Sequence, residues 1–127
     1  MAFSLTGRGV RRVACAVLAC AALGCTPSKT ESAEASVRRF FAALPSEDCA
    51  VLGPLLATGG SAKPCAETVR ELNSHGYSLV EIVESKVDGR DPNAVMVRAR
   101  MARGGVPREE PLVLRVEHQD GGWKLRW

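Results

Sequence analysis

The chain has 127 residues, enough for one small domain, and its 17 Lys and Arg exceed its 14 Asp and Glu to give a formal net charge of +3. Three of the basic residues, Arg8, Arg11 and Arg12, precede Cys25, whereas every acidic residue follows it. The chain after Cys25 is therefore formally neutral. This balance leaves no case for nucleic acid as a partner, which requires a basic stripe, or for a polybasic membrane patch.

Residues 1–24 have the pattern of a signal peptide. The arginines precede an apolar run over residues 13–24, which is shorter than the ~20 residues that a membrane-spanning helix needs. The run ends with Ala22-Leu23-Gly24-Cys25, which resembles the lipobox of bacterial lipoproteins, where the cysteine carries the lipid. We therefore expect lipidation at Cys25 and a lipid-anchored protein on the extracytoplasmic side of a cell-envelope membrane.

Three alternatives remain open at this end of the chain. Lipidation at Cys20 would leave only a short apolar run after Arg12. Ordinary secretion or an uncleaved anchor would leave Cys25 unmodified. Arg11-Arg12 also allows twin-arginine export beside the general secretory route, although Ala14 and Cys15 match that motif poorly.

The cysteines that would remain in the folded part are Cys49 and Cys65. In an oxidising compartment an even pair predicts one disulfide. Closing a loop of about sixteen residues would stabilise the fold by roughly 3 kcal/mol in the chain-entropy model. Two buried free thiols are the alternative, and a metal site is disfavoured because no histidine or further cysteine offers ligand spacing.

The sequence that follows the predicted signal peptide indicates a tether and then a helix. Residues 25–33 have the small, polar composition of a flexible tether. A helix is expected over residues 34–44, with Ser32 or an adjacent polar residue as its cap and Pro45 after its end. Its apolar stripe consists of Val37, Phe40, Phe41 and Leu44.

Two shorter helices are predicted next. One covers residues 46–56, with Ser46 as its N-cap and a break or 3-10 turn near Gly53, because Pro54 does not fit inside a helix. The other opens at Pro64 and runs to about Ser74, with Gly76 just beyond its end.

The remaining chain predicts four strands. Residues 77–87 alternate imperfectly, which indicates either a bulge or a strand contacted on both sides, and residues 94–102 alternate regularly. A loop over residues 103–110 leads to a final hairpin over residues 111–127. A turn at Asp120-Gly121 pairs His118 with Trp123, whereas a turn one residue later pairs Val116 with Trp127. Both registers place the two tryptophans on one apolar face.

Helices followed by an antiparallel meander indicate an α+β fold, with the N-terminal helices packed on one face of a curved sheet of about four strands. This order resembles the nuclear transport factor 2-like (cystatin-like cone) superfamily, which includes ketosteroid isomerase. The resemblance rests on residues 37–44 (VRRFFAAL), on Asp48-Cys49 and on residues 120–125 (DGGWKL). It implies a cone-shaped domain over residues 34–127. Leader-bearing members often carry a cysteine pair similar to Cys49 and Cys65.

The resemblance implies two hypotheses for function. The leading one is a non-catalytic cone that binds a small apolar ligand, a peptide or a partner protein, without a cofactor or metal. The residues expected to line its pocket or core are Phe40, Phe41, His118, Trp123 and Trp127. The alternative is an isomerase- or dehydratase-like enzyme that uses His118 or Glu81 as its base. A deep pocket with a buried ionisable group would favour the enzyme, and a filled cone would favour binding.

Overall fold

The computed structural model describes residues 26–127. The predicted signal peptide and the predicted lipidation site, Cys25, lie outside the described residues. Within them, three α-helices precede a five-stranded antiparallel sheet, so the α+β fold is confirmed. No helix within residues 26–127 is long and apolar enough to cross a membrane.

The helices are α1 (Lys29–Ala43), α2 (Cys49–Leu52) and α3 (Cys65–Ser74), with 3-10 turns at Leu44–Ser46 and Gly53–Leu55. The strands are β1 (Tyr77–Val87), β2 (Ala94–Arg103), β3 (Val106–Pro107), β4 (Leu112–Gln119) and β5 (Gly122–Arg126). The strand order is β1-β2-β4-β5, and β3 pairs only with β2.

Helix α1 begins earlier than the apolar pattern predicted. Ser28 is its N-cap, and the side-chain oxygen of Ser28 accepts a hydrogen bond from the amide of Glu31 at 3.2 Å. Ser28-Lys29-Thr30-Glu31 has the spacing of a capping box, in which a serine is followed three residues later by a glutamate. Ala33 is fully buried. Residues 29–33 of the predicted tether are therefore helical, and the predicted helix start at residue 34, with a cap at or next to Ser32, is wrong.

Helix α2 is also bounded differently. Asp48, not Ser46, is its N-cap, with Asp48 Oδ1 accepting from the amide of Ala50 at 2.9 Å. The predicted change to a 3-10 turn near Gly53 is confirmed. A disulfide joins Cys49 to Cys65, with the two Cα atoms 6.1 Å apart, and connects α2 to the start of α3.

The end of α3 contacts the sheet through two glycines. Gly76 follows the helix with φ +66°, as predicted, and its carbonyl accepts from the amide of Gly104 at 3.0 Å. A Cβ atom on Gly76 would lie 2.9 Å from Gly104 N, so this approach requires glycine. Gly104 and Gly105, both with positive φ, turn the chain back so that Arg103 pairs with Val106. The sequence prediction assigned this short strand to a loop.

The other strand predictions agree with the structure. β1 shifts register against β2 between Leu79 and Glu81 and again between Ile82 and Glu84, which confirms its irregularity. In the final hairpin Asp120 and Gly121 have φ of 49° and 77°, and His118 pairs with Trp123. This is the first of the two predicted registers, because Asp-Gly meets the positive-φ requirement of the turn.

The sheet has two contrasting faces. One, which we call the helix-covered face, packs against α1 and holds the buried residues Val95, Val97, Ala99, Met101, Leu114 and Val116. The other, which we call the open face, presents Glu81, Glu84, Arg98, Arg100, Arg115, Glu117, Lys124 and Arg126.

Candidate functional site

The space between the helices and the sheet is filled with side chains. The largest of those with almost no exposed surface are Phe40, Leu44, Leu52, Leu72, Met101 and Leu125. The buried polar residues within 26–127 are Ser36 and Thr68, and the Ser85 hydroxyl is a buried polar atom without a hydrogen-bond partner. None of the Asp, Glu and His residues within 26–127 is buried, so the filled region presents no side chain that could act as an acid or a base.

The two phenylalanines of α1 belong to this core, as predicted. Phe40 is completely buried and Phe41 is 7% exposed. Their rings contact each other edge to face, with centroids 5.2 Å apart. Of the aromatic pairs in the described part of the chain, none joins either phenylalanine to Trp123 or Trp127. Each tryptophan instead pairs with an aromatic ring of the sheet, Trp123 with His118 and Trp127 with Tyr77.

The two candidate bases lie outside any enclosed space. His118 is exposed at the tip of the final hairpin, where its ring contacts Trp123 at 5.1 Å. Its predicted place in the pocket or core is therefore wrong, because the strand reaches the edge of the domain at this residue. Glu81 lies on the open face, its side chain is 58% exposed, and it accepts from Arg100 Nε at 3.0 Å.

Trp127 lines an open groove of about 340 Å³ at one end of the sheet, which we call the Trp127 groove. The other lining residues are Tyr77, Leu112, Val113, Leu114 and Arg126. Trp127 is half-buried, and its ring contacts that of Tyr77 edge to face at 5.5 Å. Two aromatic rings and three aliphatic side chains thus form an apolar surface that solvent reaches.

Arg103 and His75 also lie close to the Tyr77 ring. The guanidinium of Arg103 lies 5.8 Å from the centre of the Tyr77 ring, a distance typical of a cation–π contact. Arg103 Nη2 is 2.8 Å from His75 Nδ1, which acts as the acceptor because a guanidinium can only donate. These contacts hold Tyr77 in the orientation that forms one side of the groove.

Trp123 lines a second open groove, of about 420 Å³, which we call the Trp123 groove. It lies between α1 and the turn of the final hairpin, with Pro27, Glu31, Ser32, Ala35, Ser36, Arg39, Gly121 and Gly122 as its other lining residues. Its lining is more polar than that of the Trp127 groove. The two tryptophans therefore line separate grooves, although the sequence analysis predicted a single pocket or core for both.

A network of ion pairs on the open face holds β5, which contains Trp123 and is followed directly by Trp127. Glu117 accepts from Arg126 Nη2 and Nε at 2.8 and 2.9 Å and from Arg115 Nε at 2.8 Å. Arg126 also donates to the carbonyls of Gly59 and Thr58, at 2.8 and 3.0 Å. Since Arg126 immediately precedes Trp127, these bonds hold the end of β5 at the groove.

The network continues to the turn between β1 and β2. Arg115 donates to Asp88 at 2.8 Å and to Asp91 at 3.0 Å. The guanidinium of Arg126, followed by that of Arg115, lowers the pKa of Glu117 below its usual value. The amide of Arg90 and then the guanidinium of Arg115 lower the pKa of Asp88.

The described residues contain no group of three or more His, Cys, Asp or Glu placed to hold a metal ion. The residues that line the Trp127 groove offer contact with an apolar or aromatic group, together with cation–π and hydrogen-bonding contributions from nearby side chains.

Comparisons with known proteins add little to this geometry. No protein-family model matches the chain, and no curated protein matches it. Among solved structures, it is similar to a protein from Sinorhizobium meliloti described as a "putative polyketide cyclase", at 23% identity with a TM-score of 0.48. The match covers 72% of this chain and 91% of that one. A likeness of this size carries no conclusion about activity, so a function has to be argued from the grooves themselves.

Proposed function

We propose that the protein is a cell-envelope lipoprotein, anchored by lipid at Cys25, whose small domain is a non-catalytic binding module of the nuclear transport factor 2-like superfamily. The order of three helices and an antiparallel sheet supports the fold assignment. The apolar run that ends at Cys25 supports the anchor. The disulfide between Cys49 and Cys65 fits an oxidising compartment outside the cytoplasm.

The Trp127 groove carries the binding assignment. The helix-covered face behind it is filled by side chains, whereas Tyr77 and Trp127 leave half-buried aromatic surface at the groove. Half-buried aromatic rings contribute large contact area at small conformational cost. We therefore expect a small apolar ligand, or an apolar side chain of a peptide or partner protein, to bind here.

The anchor can be tested by changing Cys25 to Ala. Labelled palmitate should enter the wild-type protein, and the processed product should partition with membranes. The variant should accumulate as uncut precursor without label. A variant that is still cut and remains membrane-bound would show that the protein is not a lipoprotein.

The groove can be tested with the apolar anionic dye 1-anilinonaphthalene-8-sulfonate and the purified domain. Removing one aromatic contact should weaken binding by about 1 kcal/mol, which is roughly fivefold in the dissociation constant. We expect this loss for Trp127→Leu and not for the matched variant Trp123→Leu. Equal binding by all three proteins would contradict the assignment to the Trp127 groove.

A further inference from the structure

The N-terminus of α1 lies at the end of the domain that contains the tip of the final hairpin. Lys29 Nζ donates to the carbonyl of Pro92 at 2.8 Å, and the amide of His118 donates to the carbonyl of Asn93 at 2.8 Å. The turn between β1 and β2 therefore contacts both α1 and the hairpin. The Trp123 groove opens at this end, with Pro27 on one side and Trp123 on the other.

Few residues separate this end from Cys25. Because α1 is capped at Ser28, only Thr26 and Pro27 lie between the cap and Cys25. Three extended residues span at most about 11 Å. A tether that reached residue 34 would instead have allowed roughly 30 Å. The lipid headgroup layer is about 5–8 Å thick on each side of a bilayer. If Cys25 carries a lipid, most of the short span lies within this layer, so the domain is held against the membrane surface.

We propose that this end of the domain rests on the lipid headgroups, with Trp123 at the membrane interface and the Trp123 groove facing the membrane. The proposal rests on lipidation at Cys25 as stated above. Trp123 is half-buried against His118, which leaves part of an indole ring at the domain surface. Indole rings favour the headgroup region because they combine an apolar body with a polar N–H.

The charges at this end do not oppose contact with a bilayer. Lys29, Arg39 and Arg90 are exposed cations, and Glu31 and Asp120 are exposed anions. Asp88 and Asp91 are already paired with Arg115. Since the exposed charges leave only a small positive excess, the anchor and Trp123 hold the contact, and we expect it on neutral as well as on anionic vesicles.

The two tryptophans provide the test. At a rise of about 3.3 Å per residue they lie roughly 13 Å apart along β5, and the ring of Trp127 is directed to Tyr77 at the first residue of β1. Purified lipidated protein is placed in phosphatidylcholine vesicles that contain a brominated phospholipid. Trp127→Phe, which keeps Trp123, should lose emission about twofold, whereas Trp123→Phe should lose little. Stronger quenching of Trp127 than of Trp123, or no quenching of Trp123, would overturn the proposal.

A second variant tests the span itself. Ten Gly and Ser residues inserted between Thr26 and Pro27 in the Trp127→Phe protein should restore most of the quenched emission. Unchanged quenching would show that the short span does not cause the contact. Mass spectrometry of the same preparations separates the two proposals. Absence of lipid on Cys25 contradicts the proposed lipoprotein, whereas lipidated protein with unquenched Trp123 contradicts only the membrane-facing orientation.

Discussion

The rings of Tyr77 and Trp127 meet edge to face, with centroids 5.5 Å apart and planes at 63°, although β1 and β5 lie at opposite edges of the sheet. Two strands, β2 and β4, lie between these edges, so the contact spans the width of the sheet. The two side chains therefore lean towards each other across the helix-covered face. Their contact closes the end of the core beside Leu112 and forms the base of the Trp127 groove.

This contact should contribute measurably to stability. Edge-to-face aromatic pairs are worth about 0.5–1.5 kcal/mol beyond the area they bury. A double-mutant cycle with Tyr77→Leu and Trp127→Leu, followed by chemical denaturation, should give a coupling free energy in that range. The matched cycle with Trp123→Leu should give none, because Trp123 contacts His118 instead. Equal coupling in the two cycles would contradict the observed pairing.

The start of α1 can be tested at its cap. Ser28→Ala should lower the free energy of unfolding by about 1 kcal/mol, because the amide of Glu31 loses its acceptor. Ser32→Ala is the matched control, since Ser32 lies inside the helix, and we expect it to change stability by less than about 0.5 kcal/mol. The reverse result would place the helix start near residue 34, as the apolar pattern suggested.

Phe40 should be among the most sensitive core positions. It is completely buried between α1 and the sheet, and truncating a buried phenylalanine to alanine costs about 3–5 kcal/mol. Val106 is 68% exposed, so Val106→Ala should stay within about 0.5 kcal/mol of the wild type. Denaturant titration of both variants measures the difference. A loss below about 1 kcal/mol for Phe40→Ala would mean that α1 does not cover the sheet.

The disulfide should be present in exported protein and should stabilise it. Non-reducing peptide mapping is expected to join Cys49 to Cys65. The double variant Cys49→Ala/Cys65→Ala should lose about 3 kcal/mol relative to the oxidised protein, because it releases a loop of 16 residues. Adding a reductant should lower the wild type to a similar stability and leave the variant unchanged. Two alkylatable thiols in the exported material would contradict the bond.

The pKa of Glu117 predicts an acid dependence. Arg126 and Arg115 lower this pKa, so near pH 4 the unfolded chain binds more protons than the folded one. The stabilisation is complete above the ordinary pKa of glutamate, about 4.3, and is lost as pH falls through the lower folded pKa. Glu117→Gln should flatten the decline in stability between about pH 5 and pH 3.

A control for this pH experiment is Glu110→Gln. It removes the same formal charge from an exposed position in the loop before β4. We expect its unfolding free energy to follow the wild-type pH dependence. If Glu117→Gln and Glu110→Gln give the same curve, the ion-pair network contributes no pH-dependent stability.

Local chemistry was sufficient to determine several parts of this fold. Asp120-Gly121-Gly122 limited the hairpin turn to two registers, and Pro54 indicated the end of α2, because these conformations depend on one or two residues. The alternation from Val95 to Met101 identified a buried strand face. The spacing of Ser28 and Glu31 also indicates the start of α1. The predicted start at residue 34 was too late because it was based on the apolar stripe that begins at Val37.

Only the tertiary structure decided how distant segments combine. Arg115 meets Asp88, and Trp127 meets Tyr77, across large separations in the chain, so no local period could reveal either pair. Both tryptophans share one side of β5 in the sequence pattern, yet they contact different partners and line different grooves. The physical reason is that a strand's alternation sets which way its side chains point, whereas the neighbouring strands and helices determine what those side chains meet.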